Sequence, residues 1–308
     1  MRCLRSMRQN ALTIPIHLTL EHFSIMPRTY LIRSIGALLL VVSALIGPAQ
    51  AAEEVKQVRL YALDCGRVQL KDMGMFSDTG EYDGKAVVMV DPCWIVRHPK
   101  GTLLWDTGLG DKMADNKGGV DFDLGHMQVD VTLLDQLKTI GLTPDDITYL
   151  SLSHTHFDHT GNANEFPGAT WILSKAEIAW AETNPSPSVN LDSFSAYRIA
   201  KTEMIDGDYD VFGDGTVRIL RTPGHTPGHQ SLLVKLKKAG TVIISGDLFH
   251  LRDNYRYRRV PPFNVERADT LASIDRIGTI LKNTKGRLVV HHDPLDFKAL
   301  PAFPKYLD

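Results

Sequence analysis

Two rhythms of apolar residues run along the chain. Residues 55–63, 86–96, 102–106, 147–153 and 170–173 are short crowded or alternating apolar runs and read as strands. Further runs at 209–212, 217–221, 230–237, 241–245 and 288–290 extend the series. Helical spacing replaces this pattern at Val129, Leu133, Leu137 and Ile140, where it stops at Gly141, and again from Ser174 to about Glu182. A third stripe, Ala268, Leu271, Ile274, Ile277 and Leu281, predicts a longer helix with Asn264 as its cap. Lys100-Gly101 marks a turn, Thr143-Pro144-Asp145-Asp146 a cap and 184–188 a Pro/Ser break. The segments 71–85 and 111–127 read as Gly- and Asp-rich loops carrying Met73, Met75, Phe76, Phe122 and Met127. Strands and helix are followed by strands and helix, with no linker between. The pattern predicts one α+β domain over 52–308, two packed sheets with helices on the outer faces.

Residues 1–51 follow other rules. The run 35–46 (IGALLLVVSALI) is preceded by Arg28 and Arg33 and followed by Ala49-Gln50-Ala51. A charged start, a short apolar run and small residues at a cleavage site describe a signal peptide. Crossing a bilayer takes about 20 apolar residues, more than this run holds; an uncleaved anchor is the alternative. Met26 gives a leader of normal proportions, so residues 1–25 are read as an over-long start. The expectation is an exported protein, periplasmic or secreted, with no stable membrane anchor after cleavage.

Composition narrows the class. At 308 residues, 43% hydrophobic and 23% charged, collagen, coiled coil and wholesale disorder are excluded. A net charge of -2 gives no basic face for nucleic acid. Cys3 leaves with the leader. Cys65 and Cys93 remain and could pair in an oxidising compartment. Sequence does not reveal whether their Cα atoms lie within the ~7 Å a disulfide needs, and two small buried apolar residues are the favoured reading.

The chemistry is concentrated in His154-Thr155-His156-Phe157-Asp158-His159, directly after a predicted strand. Imidazole and carboxylate suit zinc and its neighbours. His154 and His156 can turn to one ion while Asp158 and His159 reach another. Three later strand ends carry further ligands: Gly224-His225-Thr226-Pro227-Gly228-His229, Gly246-Asp247 and His291-His292-Asp293. There is no G-x-S-x-G elbow to support serine-hydrolase chemistry.

With the Asp106-Thr107-Gly108 turn, these motifs make five in order, and the sequence resembles the metallo-β-lactamase superfamily over nearly all of 55–308. The resemblance implies an αβ/βα sandwich. His154, His156 and His225 would bind a first metal, and Asp158, His159 and His292 a second. The Asp247 carboxylate would bridge both. Two divalent cations are implied, zinc by default, with Mn, Fe or Co also suitable; such a pair generates a bridging hydroxide at neutral pH. His229 is read as orienting its loop, and His291, which stands where the family has Gly, as supporting. His98 reads as a surface turn residue; His126 could line the pocket.

Within the superfamily the wording is closest to the N-acyl homoserine lactonases: GTLLWDTG at 101–108, TPGHTPGHQSL at 222–232, the closing His292-Asp293 and the FPKY tail at 303–306. The implied substrate is a small molecule, an acyl homoserine lactone, its acyl chain in an apolar groove lined by the five Met and Phe residues named above. Asp158 would also shuttle a proton. Many such lactonases have Tyr three residues after the bridging Asp; here His250 stands there, an imidazole able to polarise a carbonyl, with Tyr255 and Tyr257 as alternatives. A phosphotriesterase of the methyl parathion hydrolase kind, a thioesterase resembling glyoxalase II and a non-catalytic binding module compete with this reading. A homodimer is compatible with it.

Overall fold

The computed structural model describes residues 55–183 and 187–308; the readings on 1–51 and at 184–186 lie outside them. Two twelve-residue strands, β1 (Arg59–Leu70) and β2 (Val87–His98), pair antiparallel and found the first sheet. β3 (Gly101–Trp105) returns beside β2, and β6 (Tyr149–Ser151), β7 (Thr170–Ser174) and β8 (Thr202–Ile205) add in parallel. β4 (Val120–Phe122) and β5 (Gly125–Gln128) close the other edge. The second sheet holds β9 (Tyr209–Asp210), β10 (Val217–Arg221), β11 (Gln230–Leu236), β12 (Gly240–Ile244) and β13 (Arg287–Val289).

Each central strand is apolar on both faces, because both faces are covered. Leu60, Ala62, Trp94, Val96, Leu103 and Trp105 face the second sheet's Val217, Ile219, Leu232, Val234 and Ile244 in the middle of the sandwich. Their neighbours Tyr61, Leu63, Ile95 and Leu104 turn outward with Leu133 and Leu137 of α1 (Leu133–Thr139) and Ile178 of α3 (Lys175–Thr183). Outside the second sheet, Leu220, Leu233 and Ile243 pack with Ile274, Ile277 and Leu281 of α5 (Arg267–Thr284). The αβ/βα order expected from the alternation is present.

Several elements differ from the sequence reading. The 111–127 loop contains the β4–β5 hairpin, whose short, mostly polar strands lack an apolar signature. The strand β8 and the short helices α2 (Phe157–Thr160), α4 (Arg252–Tyr257) and α6 (Pro294–Lys298) were not foreseen. Glu266, not Asn264, sits at the start of α5. The favoured reading of two free cysteines is overturned: Cys65 and Cys93 form a disulfide with Cα atoms 5.7 Å apart. They meet because the β1–β2 register shifts between Asp64 and Arg67, a bulge invisible in either strand alone.

The topology gathers the chemistry. β10 and β12 both run antiparallel to β11, and β13 is parallel to β12, so the carboxyl ends of β10, β12 and β13 share one rim. The loop after β6 reaches this rim from the first sheet: Gln230 N–H donates to Ser153 O at 2.8 Å.

Candidate metal centre

Three imidazole nitrogens converge at this rim. His154 Nε2 lies 2.9 Å from His156 Nδ1 and 3.1 Å from His225 Nε2, and the last two are 3.0 Å apart. The opposite side of each buried ring is engaged: His154 Nδ1 meets Ser153 Oγ at 3.0 Å, and His225 Nδ1 meets Asn264 Oδ1 at 3.0 Å. With His225 donating to Asn264, its Nε2 presents a lone pair to the others. Burial holds all three rings neutral: it lowers His154 and His225 well below the usual histidine range and His156 to about 4. Facing lone pairs repel without a cation. Ligands around tetrahedral zinc, with Zn–N near 2.0–2.1 Å, lie about 3.3 Å apart, close to what is found here.

Asp247 joins this half to another. Its Oδ2 is 3.4 Å from His225 Nε2 and 3.7 Å from His154 Nε2, while Oδ1 is 3.2 Å from His159 Nε2 and 2.9 Å from His292 Nε2. Asp158 offers Oδ1 and Oδ2 at 3.9 Å from His159 Nε2 and His292 Nε2. His159 Nδ1 rests 3.2 Å from Asp106 Oδ2, and His292 Nδ1 donates to Val90 O at 2.8 Å, so both Nε2 atoms face inward. Burial alone would lower both of these histidines, but the carboxylates win. Asp247, Asp106 and Asp158 raise His159 well above its usual range, and Asp247 lifts His292 to about 9. Burial likewise opposes ionisation of Asp247, yet His292, His159, His250 and His154 hold it well below the carboxylate range.

The structure therefore brings all seven expected ligands together. His159 Nε2 and Asp247 Oδ1 are buried and make no hydrogen bond of good geometry although they face each other at 3.2 Å, an arrangement that a cation between them would satisfy. The donor set is of the kind divalent metals use, so the residues fit the group.

The neighbouring histidines separate by their partners. His229 donates from Nδ1 to Thr222 O at 2.8 Å and accepts Asp247 N–H on Nε2 at 2.9 Å, so both nitrogens are spent holding the loop and the Asp247 backbone. His291 receives Trp94 Nε1–H at 3.4 Å on Nδ1 and lies behind His159, ring centroids 4.8 Å apart. It also groups with His159 and His292, the extra imidazole beside the second half that its replacement of the family's Gly implies. His98 is corrected: it is buried, stacked on Phe212 and paired with Asp214 at 2.9 Å. His126 pairs with Asp121 at 2.7 Å and is not among the groove-lining residues.

A cavity of about 420 Å³ opens beside the cage. Asp158, Asp247, His156, His225, His250 and His292 form its polar end, and Val68, Leu70, Met89, Leu124, Phe157, Trp180, Phe263 and Val265 extend its apolar wall. Of the five expected liners, Met75, Phe76 and Phe122 are present; Met73 is buried in the small cluster behind them, and Met127 lies on β5. His250 is at the polar end, Nε2 3.1 Å from Asp247 Oδ2 and Nδ1 buried without a partner. Its ring packs on Phe76, centroids 4.7 Å apart. Tyr255 instead packs on Phe249, and Tyr257 is exposed beneath Arg259.

Asn264, Ser153 and Glu177 were missed as site residues. The partners of Asn264 and Glu177 are far away in sequence, so no local pattern pointed to them. Glu177 is buried on α3 and accepts four hydrogen bonds from the two histidine-bearing loops.

The chain is similar to known proteins. The metallo-beta-lactamase superfamily model matches residues 88–282. The N-acyl homoserine lactonase AttM of Azorhizobium caulinodans is 30% identical over 269 residues, 82% of this chain and 99% of that protein. The N-acyl homoserine lactonase AiiA of Bacillus thuringiensis subsp. kurstaki is 29% identical over 262 residues, 81% of this chain and 98% of its own. A solved N-acyl homoserine lactone hydrolase, with the product N-hexanoyl-L-homoserine at its catalytic metal centre, superposes with a TM-score of 0.70 at 28% identity, covering 82% of this chain and all of that one. On the family match, the relatives and the shared fold, this chain belongs to the metallo-beta-lactamase superfamily.

Proposed function

We propose that this protein is a metal-dependent hydrolase that opens the lactone ring of N-acyl homoserine lactones. The observation that carries the reading is the convergence of His154, His156, His225 and Asp247, with His159, His292 and Asp158 beside them, at the polar end of an apolar groove. Relatives matched over 98–99% of their own length and 81–82% of this chain carry that activity in their names. Divalent cations in the cage, two of them and zinc by preference, would supply a hydroxide nucleophile and polarise the ester carbonyl.

The chain's own groups supply the rest. The apolar wall from Val68 to Phe263 takes the acyl chain and excludes water from it. Asp158, partly exposed beside His159 and His292, would carry a proton to the ring oxygen as it leaves. His250, whose Nε2 lies beside the Asp247 carboxylate in the groove lining, would serve as the carbonyl-polarising donor. Water adds its oxygen to the carbonyl carbon, the ring C–O bond breaks and the ring oxygen takes a proton. The new carboxylic acid then ionises, releasing one proton per lactone at neutral pH.

We also propose that the protein is exported. The 1–51 leader pattern supports this, as does the Cys65–Cys93 disulfide, a bond that persists in oxidising compartments. Among the described residues no helix is long and apolar enough to cross a membrane.

A kinetic panel on metal-loaded protein tests the activity. Acyl homoserine lactones should be opened with one proton released per turnover, faster than thioesters or phosphotriesters of similar size. A phosphotriester turned over far faster than every lactone would transfer the chain to the phosphotriesterase reading.

A further inference from the structure

Glu177 stands apart from the groove, yet it touches both loops that carry His154, His156 and His225. Its Oε1 accepts Thr155 N–H and Thr155 Oγ1–H, each at 2.9 Å. Its Oε2 accepts Thr226 Oγ1–H at 2.6 Å and Gly228 N–H at 3.0 Å. Thr155 lies between His154 and His156, and Thr226 directly follows His225. The two loops leave different sheets, one after β6 and the other after β10. Four donors meet two oxygens, which is what an ionised carboxylate accepts. Glu177, Thr155 and Thr226 are all buried, so water cannot replace a lost bond cheaply.

The fit at Gly228 shows how closely the second loop is drawn in. A Cβ there would lie 2.2 Å from Glu177 N and 2.5 Å from Glu177 Cβ. Only glycine lets that loop seat against the first turn of α3.

We propose that Glu177 is a positioning residue that clamps the two loops and thereby sets the geometry of the three-histidine half of the cage, leaving the Asp158–His159–His292 half to other supports. The inference rests on the reading of the cage as a metal centre. Asp158 lines the groove, His159 leans on Asp106 and His292 on Val90, none of them through Glu177. Asp158 and His159 follow Thr155 on one of the clamped loops, but both loops of the three-histidine half pass through Glu177, so loss of the clamp falls first on that half.

The test uses the full chain, stripped of metal with a chelator and titrated with Zn2+ by calorimetry. Wild type should bind in two resolved steps. Glu177→Gln puts an amide N–H₂ against donors and should weaken one step by ~10–100-fold, the scale for groups that support a ligand, with the other step unchanged. Titration with Co2+ adds a signature: the d–d bands of the three-histidine site should shift in the variant. Unchanged binding of both ions, or equal weakening of both, overturns the clamp. Should Glu177→Gln fail to fold, Thr155→Val with Thr226→Val removes only the two hydroxyl donors and is judged by the same two outcomes. Wild type that binds no Zn2+ would overturn the metal reading itself, a result separable from the failure of the clamp.

Discussion

The two halves of the cage contain similar ligands in opposite electrical states. In the half built by His154, His156 and His225, burial outweighs every attraction and the rings are neutral, lone pairs facing one another at 2.9–3.1 Å. In the half built by Asp158, His159 and His292, carboxylates outweigh burial and the two rings hold protons. Burial lowers all five rings, so it does not decide the state alone; the closeness of a carboxylate does, Asp247 lying 2.9 Å from His292 Nε2 but 3.4 and 3.7 Å from His225 and His154. One half is ready for a cation, whereas protons hold the place of one in the other. Loading the second half must release protons and the first need not. Asp247 is the seam, with one oxygen toward each.

Breaking the seam should have the largest effect. Asp247→Asn removes the charge common to both halves and should lower kcat by about a thousandfold or more, given that single electrostatic contacts in such sites are worth roughly 10²–10³. Elemental analysis should find both ions depleted. His229→Gln, which touches Asp247 only through its backbone N–H, should lose far less. Equal losses of activity and metal in the two variants would mean that the loop's ligand is His229 and not His225.

Cutting each half separately sharpens the comparison. His225→Gln and His292→Gln should each leave about one ion per chain, retained in opposite halves. Loss of both ions in either variant would show that the halves do not bind independently. A gentler cut is Asn264→Ala, which frees His225 Nδ1. Removal of such a partner costs about 10–100-fold in metal affinity, and only the three-histidine half should pay it.

The halves also differ in how far they could be read from sequence. The motif after β6 places four candidate ligands within six residues, and the apolar run before it fixes them at a strand end. His225, Asp247 and His292 each follow an apolar strand, so the rim was legible once the strands were. The bracing was not. Asn264 looked like a helix cap because it precedes an apolar stripe, but α5 starts at Arg267 and Asn264 is used by His225, 39 residues away. Glu177 looked like one more polar helix position, since its partners lie 22 to 51 residues away. His98 looked like a turn residue because Pro99 follows it; Phe212 and Asp214, which bury it, come from the second sheet's loops. The disulfide depended on a bulge. Strand periodicity reports which face a residue takes and says nothing of what a second strand brings against it.

The smallest effect, and the one that separates the halves most directly, is the pH dependence of stability in metal-free protein. A histidine titrates near 6.5 when unfolded. His292 is held at about 9 in the fold, so its contribution is complete below about 6.5 and is lost as pH rises through 9. His156 and His229 are held at about 4 by burial, so the unfolded chain takes protons that the fold refuses. Their contribution is complete above about 6.5 and shrinks as pH falls toward 4. Metal-free protein should therefore unfold at its highest temperature near pH 6.5, with midpoints lower by on the order of a few degrees on either side. The alkaline limb belongs to the carboxylate-rich half and the acid limb to the neutral histidines. Saturating Zn2+ should abolish the alkaline limb, since a cation then replaces the proton beside Asp247, and steepen the acid limb, since protons compete with metal for the same nitrogens. Calorimetric melts across pH 5 to 10, with and without Zn2+, would measure both limbs. An alkaline limb that persists unchanged in the metal-loaded protein would show that the protons on the second half do not stand where its cation binds.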